Sequence, residues 1–216
     1  PTVAGNINDV NKKKSSKSSP DKSKKDGKKQ KKDSKKDDDS KIKAFTYNKS
    51  SRFNGIFEFL TEKTHGNLHD NGTIEITSNN IKEPIRSKSP TKSEQFHPKN
   101  LINSDNSEYI AAGGKDAWIT FDFKDMKVEI TNYSVRNGGL GAKIKNWVIE
   151  TSDNKNDWKT IDTHRDYTFN EKEETFNVAP NGFARYIRLR HNGETSATGM
   201  NLVMVRFELF GKLKTH

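Results

Sequence analysis

"NWVIETSDNKNDWKTID", residues 146–162, decides the fold class. Lys145, Trp147, Ile149 and Thr151 alternate with Asn146, Val148, Glu150 and Ser152, the period-two pattern of a strand with an aromatic-aliphatic face for a core. Asp153 to Asp157 (DNKND) then supplies Asp and Asn side chains that hydrogen-bond their own backbone in tight turns. The stretch reads as a β-hairpin with a solvated polar tip.

The same alternation recurs along the chain. It predicts eight strands, at 73–78, 117–123, 127–136, 143–151, 158–163, 173–178, 184–191 and 201–210. In 184–191 the core-facing residues are Ile187 and Leu189; in 201–210 they are expected to be Val203, Val205, Phe207 and Leu209. Many short strands with one apolar face each and turn-rich joints imply an all-β protein, a sandwich or jelly roll. Ahead of them, "FNGIFEFLTEKT" (53–64) spaces Phe53, Ile56, Phe57 and Leu60 as one helical stripe, with Ser51 a candidate N-cap and Gly66 a candidate stop. So short a helix is unstable alone, and its stripe must pack on something.

Composition divides the chain near position 43. Residues 1–43 hold fifteen Lys against seven Asp, a net of +8, whereas the whole chain of 216 residues is +10. Residues 44–216 therefore carry +2, and the basic character belongs to the tail. Val3, Ala4, Ile7, Val10 and Ile42 are the tail's only aliphatic residues, too few to offset the entropy of ordering, so a disordered linker is expected there. Association of this tail with nucleic acid or an anionic membrane is the weaker reading. Asp residues at 21, 26, 33 and 37–39 dilute its field, and it has no aromatic on which a base stacks. The expected organisation is linker 1–43, helical lead-in 44–71 and sandwich domain 72–211.

The chain has no cysteine, which excludes disulfides, thiolate metal sites and a Cys nucleophile and leans towards an intracellular, cytoplasmic setting. Its longest apolar run is Leu202–Val205, far short of a membrane span. It starts at Pro1, and an upstream portion is expected to precede it.

Taken in order, "IEITSN", "HPKNLINSDNSEYI", "AWITFDF", "NYSVRN", "IKNWVIETSDNKNDWKTID", "ARYIRLRHNG" and "RFELFG" resemble the discoidin family, the coagulation factor V/VIII type C domain. The resemblance spans roughly residues 72–211 and implies an eight-stranded, galactose-binding-like jelly-roll β-sandwich, in which Trp147 sits in the core and Trp158 covers one of its ends. The lead-in "FNGIFEFLTEKTHGNLHDNG" is most similar to the version that follows BTB domains in intracellular proteins. The chain departs from other branches. The terminal disulfide of extracellular members is impossible, and the His-and-two-Arg motif of fucose binders is absent. The only candidates for the exposed apolar side chains of galactose and phospholipid binders are Ile81, Ile85, Phe96 and Tyr109.

Long loops on a rigid sandwich carry binding. Those at 79–116, 137–142 and 192–200 are the candidates, and the resemblance implies that the last two open on one end of the fold. Arg136, Asn137, Lys143, Arg190, His191, Asn192 and Asn201 are expected to gather there, with the guanidinium forks suited to carboxylate, phosphate or vicinal hydroxyls. The resemblance also offers Asp105 and Glu208 as ligands of a structural calcium ion; no other cofactor is implied. His65 and His69 have the i, i+4 spacing of a zinc pair but no evident third ligand. "GGLGAK" (138–143) lacks phosphate-loop spacing, and no nucleophile elbow or other catalytic motif is present. The expectation is a noncatalytic recognition or adaptor module that binds a protein partner, with a carbohydrate as the alternative ligand.

Overall fold

Ten strands pair into two antiparallel sheets. The structure, a computed structural model, describes residues 41–79, 97–105, 109–111, 116–139, 142–197 and 202–216, with 109–111 and 202 described by backbone alone. All lie within the unit Asp38–His216. One sheet runs in the order β1 (Lys41–Phe45), β10 (Leu202–Thr215), β5 (Lys127–Asn137), β8 (Glu173–Asn177), with β3 (Tyr109–Ala111) beside the start of β10. The other runs β2 (Glu75–Ser78), β4 (Trp118–Asp122), β9 (Tyr186–His191), β6 (Trp147–Ser152), β7 (Lys159–His164). Among the described residues no helix is long and apolar enough to cross a membrane.

All eight expected strands are present, and β1 and β3 are additional. β1 lies across the expected boundary at residue 43. Its side chains are mostly exposed, and it is held by pairing with β10, from Lys41 opposite Thr215 to Phe45 opposite Gly211. Backbone pairing leaves no trace in composition, so apolar content gives no sign of β1. Residues 1–40 and the basic stretch 80–96 lie outside the described residues.

The core fills the space between the sheets. Trp147 is fully buried, and its indole Nε1 donates to the Tyr133 hydroxyl of the opposite sheet at 2.8 Å. Phe121 stacks on Phe207 across the sandwich with ring centroids 5.4 Å apart. β10 departs from simple alternation. A register shift between Met204 and Arg206 turns Met204 into the core with Phe207 and Leu209, in place of Val203 and Val205, which are buried outside the main cluster. The extra residue of a bulge reverses the facing of everything before it.

The lead-in helix is shorter than its apolar stripe. A 3-10 turn, Lys49–Ser51, capped by Asn48, precedes α1 (Ile56–Thr64), and Phe53, Ile56, Phe57 and Leu60 are all buried. Ser51 therefore belongs to the 3-10 turn, and the left-handed residue closing α1 is His65 rather than Gly66. No side chain of the lead-in caps α1. The cap comes from Glu208 on β10, whose Oε1 accepts from Phe57 N and Leu209 N at 2.8 Å each and whose Oε2 accepts from Glu58 N at 3.1 Å. Residue 55 must be glycine for this approach, because a Cβ would collide with the Leu209 carbonyl and lie 2.8 Å from the Glu208 carboxyl carbon.

Candidate functional site

One end of the sandwich is built around residues 142–146, which cross from one sheet to the other. Ala142 O accepts from Val203 N, Lys145 O from Tyr167 N and Asn146 O from Asn192 N. Lys143 is tied twice to Ser196, donating its N–H to Ser196 Oγ at 2.8 Å while its carbonyl accepts from Ser196 N at 3.0 Å. The Asn146 amide donates to Glu194 O and accepts from Asp166 N, both at 2.9 Å. Gly193 permits this lacing: a Cβ there would lie 2.8 Å from that of Asn146. Two connections, through Asp166 and Tyr167 and through Asn192, Glu194 and Ser196, are thus fastened to one crossing segment.

Between them opens a cleft of about 370 Å³, lined by Lys143, Ile144, Lys145, Tyr167, Thr168, Phe169 and Ser196. Tyr167 meets Trp147, Phe169 and Phe176 edge-on at 5.3–5.5 Å, and Phe169 stacks on Trp147. The Tyr167 hydroxyl donates to Glu174 Oε2 at 2.5 Å, and that bond pushes the phenol up to about 12, so it stays protonated and held in place. Thr168 and Ser196 are exposed, and the two lysines are half-buried. The cleft combines a fixed aromatic wall with hydroxyl and ammonium donors, the combination that takes a polar ligand having apolar faces.

The expected binding residues do not converge. Lys143 lines the cleft, and the backbone of Asn192 fastens its frame. Arg136 and Arg190 point away from the core on opposite sheets, since each strand alternates. Arg190, with Arg188, binds the buried Glu150 on the outer face of the second sheet: Arg190 Nη2 lies 2.9 Å from Oε1 and Arg188 Nε 2.7 Å from Oε2. Burial pushes the Glu150 carboxyl up, but the hydrogen bonds from Arg190 and Arg188 outweigh it and leave the group below the usual carboxylate range. Trp158, expected over an end of the core, instead lies under the Arg188 guanidinium at 3.8 Å.

Arg136 belongs to a second cleft of about 410 Å³ between the lead-in and the first sheet. There Arg52 pairs with Glu171, Arg136 with Glu173 and Arg206 with Glu58, and both Arg136 and Arg206 lie over the Phe53 ring. Each of its three arginines is thus matched by a glutamate, and the cluster fastens the lead-in to the sheet. His191 and Asn137 turn inward and are buried, Asn137 with both side-chain amide atoms lacking a hydrogen-bond partner. Asn201 lies outside the described residues.

The calcium pair fares no better as a ligand set. Glu208 spends its carboxylate on backbone N–H groups at the start of α1, while Asp105 is an exposed loop residue. Among the described residues no group of three or more His, Cys, Asp or Glu is placed to hold a metal ion. His69 Nδ1 accepts from Ile76 N at 3.0 Å, a structural role.

Tyr167, Phe169, Lys145 and Ser196, which also line the cleft, were not among the residues expected from sequence. An aromatic pair in "DYTF" (166–169), between two strands and at the end where the other loops emerge, was the available signal.

With the sandwich and its loop end described, comparison decides the family. The F5/8 type C domain profile matches residues 84–205, more than half of the chain. The chain belongs to the F5/8 type C domain family. Solved structures agree on the fold of this F5/8 type C domain. A fragment of a putative chitobiase from Bacteroides thetaiotaomicron is 13% identical, with a TM-score of 0.52 over 67% of this chain and 90% of that one. A Clostridium perfringens module, CpGH89CBM32-5, in complex with GalNAc-β-1,3-galactose, is 13% identical, with a TM-score of 0.50 over 64% and 96%. A chitosan-binding module from a Paenibacillus chitosanase/glucanase, in complex with chitotriose, is 14% identical, with a TM-score of 0.50 over 64% and 97%. No curated protein sequence matches significantly.

Proposed function

We propose that this F5/8 type C domain is a noncatalytic recognition module whose ligand is a carbohydrate, taken up in the loop-end cleft beside Tyr167. The observation that carries the reading is the cleft itself: a rigid aromatic wall facing hydroxyl and ammonium donors delivered by residues 142–146 and the two connections laced to them. A pyranose offers an apolar C–H face to such a ring and a rim of hydroxyls to such donors. The two sugar complexes of the same fold support this ligand class, and nothing comparable supports the protein partner expected from sequence. The docked lead-in keeps an intracellular, BTB-associated adaptor as the second reading, which affinity capture of protein partners on the full chain tests.

A glycan array probed with the full chain tests the first reading. Tyr167→Ala should lose the glycans that the wild type binds. Thr168→Asp, which places a charge in the cleft without touching the aromatic cluster, should lose them too while melting like the wild type. An array without hits, or hits retained by both variants, overturns it.

A further inference from the structure

The cleft has a sign. Two lysines line it, Lys143 and Lys145, and no carboxylate does. Lys145 Nζ lies 2.9 Å from Asp166, but that carboxylate is 79% exposed, so the pair is a screened surface contact that opens readily to a competing anion. The Lys143 side chain is half-buried and has no ion-pair partner among the described residues. An ammonium in that position, beside a buried aromatic wall, is less well screened than one on an open surface and attracts an anion more strongly. Glu174, the carboxylate nearest to the aromatic wall, is fully engaged: it accepts from the Tyr167 hydroxyl and from the backbone of Asn170 and Glu171. A cationic amino-sugar polymer would meet two ammonium groups and no carboxylate among the residues that line the cleft.

Resting on the carbohydrate reading, we propose that the cleft selects acidic sugars, in which a carboxylate or sulfate ester bonds Lys143 and Lys145 while the pyranose ring lies against Tyr167. The lysines are specificity determinants; the aromatic wall and the hydroxyls of Thr168 and Ser196 would hold the ring in acidic and neutral sugars alike.

Calorimetric titration of the full chain with three probes of equal length tests this: trigalacturonate, a sulfated galactotriose and neutral galactotriose, all at one ionic strength. The basic tail is present throughout, so only the substitutions report on the cleft. At least one acidic probe should bind about tenfold more tightly than the neutral one, the effect of one partly desolvated charge pair. Lys143→Gln combined with Lys145→Gln should remove that preference, so that the acidic probes bind no more tightly than the neutral one, and leave the melting midpoint unchanged. The tighter acidic probe identifies carboxylate or sulfate as the recognised group. Equal binding of all three by the wild type overturns acid selection and leaves the carbohydrate reading standing. A preference that survives in the double variant overturns it as well, by placing the attraction outside the cleft. Binding of no probe, together with an array lacking hits, removes the carbohydrate reading and this inference with it.

Discussion

Glu208 on β10 holds the first turn of α1 by accepting a hydrogen bond from the backbone N–H of Phe57 at 2.8 Å, across 151 residues of sequence. The carboxyl is completely buried, and desolvation, only partly offset by its backbone donors and Arg206, raises it from an ordinary 4.5 to about 7. The folded chain therefore binds this proton more tightly than the unfolded chain. The resulting stability is fully present below about pH 4.5 and is lost as pH rises through about 7. Asp122, Glu150, Asp162 and Glu174 are shifted downwards, so their contributions are lost only at lower pH. The stability of the wild type relative to Glu208→Gln should fall between about pH 5 and about pH 8, read from urea midpoints. Parallel profiles would show that Glu208 does not titrate there.

Arg190 is expected to matter for stability rather than recognition. Arg190→Ala leaves the buried Glu150 with Arg188 as its remaining guanidinium partner, and losing a charged hydrogen bond at such a site costs about 1–3 kcal/mol. Chemical denaturation should record that loss while glycan binding stays at the wild-type level, because Arg190 does not line the cleft. A variant of unchanged stability and weakened binding would move the site to the outer face of the second sheet.

The start of the ordered domain is testable by truncation. A chain beginning at Lys41 should melt with the full chain. One beginning at Asn48 loses β1, together with the contact of Phe45 on Phe59 at 5.1 Å and of the Lys43 ammonium over Phe59 at 3.6 Å. Its melting point should drop, by about 2–4 °C for each kcal/mol lost. Identical midpoints for both truncations would show that β1 contributes nothing.

The sandwich was legible because a buried sheet face imposes period two on every long strand, as in Trp147 and Ile149 or Ile187 and Leu189. β1 was not, since its side chains stay exposed and only backbone pairing with β10 orders it. The facing of Met204 depends on a bulge, and the cap of α1 depends on a carboxylate far along the chain; neither leaves a local signal. The site failed for a simpler reason. Arg136 beside Asn137 and Arg190 beside His191 were grouped as neighbours, yet adjacent strand residues face opposite ways, and each arginine met a glutamate on its own outer face. Lys143 lines the cleft because it lies on the crossing segment itself.

The most direct test of where this domain recognises its ligand is a titration of the nitrogen-labelled full chain with the best glycan from the array, followed by amide chemical shifts. The shifts should concentrate at Lys143, Lys145, Tyr167, Thr168 and Ser196, around the cleft. Shifts centred on Arg52, Arg136 and Arg206, or on Arg188 and Arg190, with those five residues unmoved, would contradict it.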